Sequence, residues 1–155
     1  TVYTGQDYPL DKLLDDIALN LNIQRVMLYA GHPRRLVGMA GANRLSRNVI
    51  ETTKDYVDSP ALTKLYESPQ IIVVDNVKRF ETSSPTLHQQ LIAQGIISFL
   101  HVRFKDKNGI DAVLSLEFIK STMSWNRTHF PYFRLLAKIL SEYDLGGGKR
   151  ETEKR

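Results

Sequence analysis

Two apolar runs separated by an Asn-Gly turn constrain this chain most. Ile96 to Phe104 and Ile110 to Ile119 flank the connector Asp106-Lys107-Asn108-Gly109. Asn-Gly suits the positive-φ positions of a tight hairpin turn, so the two runs are predicted to be neighbouring antiparallel strands. Neither run alternates cleanly. Phe99, Leu100 and Val102 on one, and Val113, Leu114 and Leu116 on the other, put apolar side chains on both faces. Strands of that kind lie inside a sheet that is covered on both sides. The rest of the sequence must therefore supply two covering layers.

Candidates for those layers are easy to find. From Tyr8 to Asn22, Leu10, Leu13, Leu14, Ile17 and Leu21 recur at helical spacing with Asp and Lys between them. That predicts an amphipathic helix, with Asp7 as its cap and Pro9 in its first turn. A last helix is expected from Thr128 to Tyr143, with Phe133, Leu136, Leu140 and Tyr143 on one stripe and Leu135 and Ile139 beside it. Pro131 is compatible only with its first turn. Ser59-Pro60 and Ser84-Pro85 each open a further helix, and Gly95 closes the second. Gln24 to Ala30 and Arg34 to Ala42 read as two strands joined at Gly31-His32-Pro33, and Gln70 to Val74 as a third, ending at Asp75-Asn76 before a polar loop. Val49 to Val57 reads as an edge strand or a loop. The order is that of an α+β domain with a mainly antiparallel sheet.

Composition narrows the function classes. A chain of 155 residues with 42% hydrophobic residues fits one domain, taken as 1–145, followed by a Gly-rich charged linker or tail over 146–155. The absence of cysteine excludes disulfides, thiolate metal sites, Cys nucleophiles and thioether-linked chromophores. It suits a reducing compartment, and the expected location is cytoplasmic. No apolar run approaches a membrane span, so no membrane insertion is expected. The tail carries half of the formal charge of +4, and no basic face is interleaved with aromatics, so nucleic acid is not an expected partner.

Catalytic patterns are missing. His32, His88, His101 and His129 have no metal-binding spacing, Gly-x-Ser-x-Gly does not occur, and Gly146 to Gly148 follows a helix instead of joining a strand to one. Gly38-Met39-Ala40-Gly41 lies inside a strand and resembles no dinucleotide fingerprint. Asp75 and Glu117 are isolated acids near strand ends that the sequence does not bring to one substrate atom, and for Asp75 capping or turn duty is the ordinary role. No enzymatic activity, metal or cofactor is expected.

Three segments occur in a telling order. Ile71-Ile72-Val73-Val74-Asp75-Asn76-Val77 is a strand running into Asp-x-Val. Gln94-Gly95-Ile96-Ile97-Ser98-Phe99-Leu100-His101-Val102 follows. Ala112 to Glu117 then leads to Trp125 and a helix carrying Leu135, Leu136, Ala137 and Ile139. Together these resemble the GAF domain, especially the kind found in bacterial sensor kinases and diguanylate cyclases, over roughly Leu10 to Tyr143. There are departures. Arg103 stands where many relatives have Pro. Asn126, Arg127, Thr128 and His129 replace the usual acids after the Trp. The Asn-Lys-Phe-Asp-Glu constellation of cyclic-nucleotide-binding members is not evident. Without Cys, neither bilin attachment nor the sulfoxide-reducing chemistry of other members can operate.

The resemblance implies a profilin/PAS-like central antiparallel sheet of five to six strands. The terminal helices would pack on one face, and the middle helices and loops would cover the other. It implies a regulatory sensor domain in two-component or cyclic-di-GMP signalling. Such a domain would bind an unknown small molecule, form a homodimer through its terminal helices, or both, and control a downstream effector domain. A degenerate module that only dimerises is the alternative, and a pocket plugged by Phe80 and Tyr66 would favour it. On the sensor layout the pocket is lined from Met39, Asp75, Phe80, His88, Ser98, Leu100, Ser115 and Glu117. A slip of one residue in register would move every strand member of that set to the other face.

Overall fold

The computed structural model describes residues 8–42, 54–66, 70–119 and 125–146. Helix α1 spans Leu10–Leu21 and buries Leu14, Ile17 and Ala18. Pro9, expected in the first turn, takes the cap position instead, and Asp7 lies outside the described residues. The helix ends because Asn22 adopts the left-handed conformation (φ 54°) and turns its N–H back onto the Ala18 and Leu19 carbonyls. Strand β1 (Arg25–Ala30) is buried throughout, and β2 (Arg35–Ala40) returns beside it. Residues 54–58, part of the segment expected as strand or loop, form a 3-10 helix; 43–53 lie outside the described residues.

Helix α2 (Pro60–Leu65) begins at the expected Ser59-Pro60 and leads to β3 (Ile71–Val74). The segment expected as a polar loop is a 3-10 turn, Val77–Phe80, capped by Asn76, whose side chain accepts from the Lys78 N–H at 2.9 Å. Helix α3 (Pro85–Ala93) ends at Gly95, where φ is +78°. The Gly95 N–H bonds the Ile92 carbonyl and the Ile96 N–H the Leu91 carbonyl, a closure that needs a residue without Cβ strain.

Strands β4 (Ser98–Lys105) and β5 (Asp111–Phe118) are the predicted hairpin. Their connection is longer than a two-residue turn. Asp106 organises it: Oδ1 accepts from the Asn108 and Ile110 N–H groups at 2.8 Å each, and Oδ2 accepts from the Leu145 N–H at 2.8 Å. One buried carboxylate thus shapes the hairpin and pins the chain beyond the last helix. That helix, α4 (Phe130–Leu140), starts after a 3-10 turn at Arg127–His129. The residues replacing the expected acids form a reciprocal cap: Asn126 Oδ1 accepts from Thr128 N–H, and the Asn126 N–H donates to His129 Nδ1.

The five strands form one antiparallel sheet in the order β2-β1-β5-β4-β3. Helices α1 and α4 cover one face, packing Leu14, Ile17, Phe133, Leu136 and Leu140 on Val26, Leu28, Leu100, Val102, Leu114 and Leu116. Gly38 lets α1 approach β2, since a Cβ there would stand 2.5 Å from Leu14 Cδ1. The two helices are joined where the Tyr143 hydroxyl donates to the Tyr8 carbonyl at 2.6 Å. The second face is covered by α2, α3 and the two 3-10 turns at Lys54–Asp58 and Val77–Phe80. Among the described residues no helix is long and apolar enough to cross a membrane.

Candidate functional site

Alternation along the central strands puts a line of polar side chains on the second face. The register aligns Arg25, Met27 and Tyr29 of β1 with Glu117, Ser115 and Val113 of β5, and Ser115 with His101 of β4. Arg25, Glu117, Ser115 and His101 are all buried. Charge in that position must be paired and hydrogen-bonded. Glu117 meets the requirement with three donors: Arg25 Nε to Oε1 at 2.6 Å, and the Tyr56 hydroxyl and Ser115 Oγ to Oε2 at 2.7 Å each. Arg25 also donates through Nη2 to the Gln94 carbonyl at 2.8 Å, tying β1 to the end of α3.

The network continues through aromatic rings. Burial, followed by the positive charge of Arg34, depresses the His101 pKa to about 3, so the ring is neutral at pH 7. Because the Tyr56 hydroxyl donates to Glu117, its oxygen is left to accept from His101 Nε2, 3.5 Å away, and in that tautomer Nδ1 accepts from the Tyr66 hydroxyl. Tyr56 in turn donates to Glu117, so the bonds run in one direction from Tyr66 to the carboxylate. Burial first, and the Glu117 charge next, hold the Tyr56 and Tyr29 hydroxyls well above their ordinary pKa. Burial also raises that of Tyr66. Ser115, His101 and Glu117 include the residue types of a hydrolase. Here, however, Ser115 gives its proton to Glu117 and is sealed from solvent beneath Tyr56, so the arrangement holds structure and exposes no nucleophile.

The predicted pocket residues divide. Ser115 and Glu117 are in the network. Phe80 and His88 are buried in the covering layer, and Met39 is partly buried against the same cluster. Leu100 is not with them. It pairs with Leu116 and belongs to the core beneath α1 and α4, and Ser98, two residues away, shares its side of the strand. The strand register is one step from the one that would have brought these two to the pocket. Asp75 is exposed just past β3 and does not face the network. Tyr29, Tyr56, Arg25 and His101 were missed as site residues. The alternating polar positions His101 and Arg103, and Ser115 and Glu117, carried a signal for the strand members. Tyr56 comes from a segment with no regular pattern.

At the other end of the same strands lies an open region. A cleft of about 390 Å³ is lined by Arg34, Gln70, Arg103, Phe104, Lys105 and Asp111. An adjoining one of about 300 Å³ shares Arg34, Arg103 and Asp111 and is lined further by Asp58, Thr63 and Tyr66. Arg34 donates through Nη1 to the Gly31 carbonyl at 3.3 Å, and its backbone N–H to Asp58 at 3.0 Å. Arg103 lies over the Tyr66 ring, 5.3 Å from its centroid, and donates to the Tyr66 carbonyl. Asp111 accepts from Lys105 at 2.7 Å and meets His32 at 2.8 Å, bonds that hold its carboxyl down to about 2.

Solved structures share this architecture over most of the chain. The third GAF domain of Slr1393 from Synechocystis sp. PCC6803, in its photoproduct state, superposes with a TM-score of 0.68 at 14% identity, covering 98% of this chain and 100% of that one. The phycocyanobilin-bound GAF domain of a cyanobacterial phytochrome gives 0.61 at 13% identity, covering 88% and 84%. A domain of a protein assigned as a two-component sensor histidine kinase from Sinorhizobium meliloti 1021 gives 0.61 at 18%, covering 85% and 88%.

This is the GAF fold.

No protein-family model matches the sequence, and no curated protein is similar to it by sequence. The GAF fold here keeps the terminal helices on one face of a five-stranded sheet. Among the described residues its other face is packed with Tyr56, which has no exposed surface, and with Tyr66 and Phe80, 6% and 5% exposed.

Proposed function

We propose that the chain is a non-catalytic regulatory domain of a signalling protein, working as a pair joined through α1 and α4. The observation that carries this reading is an apolar row on the outer side of α4. Tyr132 and Leu135 are 39% and 52% exposed, Ile139 is half-buried beside them, and Leu19 on the neighbouring α1 is 80% exposed. Burying one such leucine in a partner stabilises association by about 1.5–3 kcal/mol. Among the described residues, burial on the second face supports the same reading. Tyr56, Tyr66 and Phe80 are buried against the sheet on that side, and the chain has no Cys for a thioether bond to a bilin. Output would pass from α4 through the glycines that follow it to an effector domain. A Gly-rich sequence is poorly suited to transmitting rotation, so the geometry of the pair is the better carrier of signal.

Sedimentation equilibrium tests the pair. The chain is expected to form a concentration-dependent dimer, and Leu135→Glu to remain a folded monomer, since the position is exposed. A wild-type chain that stays monomeric at every concentration sinks the reading. Native mass spectrometry adds the second arm: a small molecule retained from purification would return weight to a ligand sensor of the ordinary kind.

A further inference from the structure

We infer that the cleft at the β4–β5 hairpin end of the sheet is a binding site for a small oxyanion, of the class of a phosphate or phosphate monoester. The dimer reading is not needed for it. Three cationic side chains, Arg34, Arg103 and Lys105, line the two adjoining spaces, against the carboxylates of Asp58 and Asp111. Asp111 is already engaged by Lys105 and His32, and Asp58 accepts the Arg34 backbone N–H. Burial depresses the Arg34 pKa; Tyr66, Asp58 and Asp111 oppose that shift, and Arg103 adds a smaller lowering. Two guanidinium groups and an ammonium share a partly desolvated cleft, where an anion is attracted more strongly than in open water. A guanidinium is planar with five N–H donors, so Arg34, anchored by one nitrogen to Gly31, can still present a fork to two oxygens.

The rest of the cleft suits the body of a small ester. Phe104, Ala112 and Val57 supply apolar wall, and Thr63 supplies a hydroxyl. A space of about 390 Å³ accommodates a metabolite-sized molecule. The site is also wired to the interior. Arg103 holds the Tyr66 carbonyl while the Tyr66 hydroxyl holds His101, so an anion drawing on Arg103 competes for the residue that starts the buried network.

The test is titration of the ¹⁵N-labelled chain with inorganic phosphate at constant ionic strength, with sodium chloride and acetate as controls. Saturable shifts are expected for the Arg34 and Arg103 side chains and the backbone of residues 31–34 and 103–112, with a weaker response to acetate. Arg34→Lys keeps the charge and removes the fork, and is expected to weaken binding about tenfold. Arg34→Gln is expected to weaken it further. Chloride producing the same shifts as phosphate, or both Arg34 variants binding as the wild type does, overturns the site. Equal affinity for acetate would make it a general carboxylate site and overturn the phosphate assignment. Leu135→Glu, remote from the cleft, is expected to bind phosphate unchanged, which separates a failed dimer from a failed anion site.

Discussion

Strand β5 carries one carboxylate at each end, and the two ends behave as different chemistries. At its end Glu117 is wholly buried and takes three donors, the nearest being Arg25 at 2.6 Å. At its start Asp111 is 41% exposed and shares Lys105 with solvent at 2.7 Å. Distance hardly differs between the two pairs, so burial must decide their energies. A buried pair has lost its water and cannot lose its partner as well; an exposed pair can exchange one for the other. The closed end therefore belongs to stability, and the open end is the place where a ligand can compete.

The largest effect should come from breaking the closed end. Glu117→Ala leaves Arg25 charged and 2% exposed without its main acceptor. A loss of about 3–5 kcal/mol is expected, read as a drop in the denaturant midpoint. The double replacement Arg25→Met with Glu117→Leu sharpens the point. It removes both charges at similar volume and should recover the part of that loss due to the unpaired charge, while the Tyr56 and Ser115 hydroxyls stay without their acceptor. A double variant as unstable as Glu117→Ala would mean that the hydrogen bonds to Tyr56 and Gln94 matter more than the charge.

A smaller effect comes from His101, in the middle of the same network. Its folded pKa of about 3 lies below the ordinary value of 6.5. The unfolded chain therefore binds a proton below about pH 6.5 that the folded chain refuses until about pH 3. The stabilisation is complete above pH 6.5 and is lost as pH falls through that window, at about 1.4 kcal/mol per pH unit. Between pH 6.5 and 5, before most carboxylates titrate, stability is expected to fall by about 2 kcal/mol. His101→Gln should be less stable at pH 7 but flatter over that interval. A wild-type chain equally stable at pH 6.5 and 5 would show that the ring takes up its proton without opening the fold.

Much of this architecture was legible in the sequence, and the reasons are physical. The five strands follow from apolar runs bounded by Gly, Pro, Asn and Asp, and α1 and α4 from stripes at helical spacing. The resemblance implied the antiparallel sheet with the terminal helices on one face, as found. What could not be read was the face. Leu100 and His101 are neighbours with opposite destinations, one under the helices and one in the polar network. Periodicity gives no preference when both faces of a strand are buried. Tyr56 was illegible for another reason: it reaches Glu117 across 61 positions from a short 3-10 turn with no pattern of its own. The Asp106 loop was half legible. Its Asn-Gly announced a turn, but the bond from Leu145 to Asp106 joins distant parts of the chain.

The smallest effect is expected at the open end, and it is the one that tests the comparison most directly. Lys105→Ala removes a 2.7 Å ion pair from Asp111. If short distance were what made a pair strong, this change would rival Glu117→Ala. With Lys105 69% and Asp111 41% exposed, water replaces the lost partner, and His32 remains beside the carboxylate at 2.8 Å. A stability change of about 0.2–1 kcal/mol is expected, shrinking as salt is added. The same substitution should nevertheless weaken phosphate binding in the titration above, since it removes one of the three cations of the cleft. A loss of several kcal/mol with no change in phosphate binding would reverse the assignment of the two ends. It would make Asp111 the structural carboxylate and leave the cleft without a role.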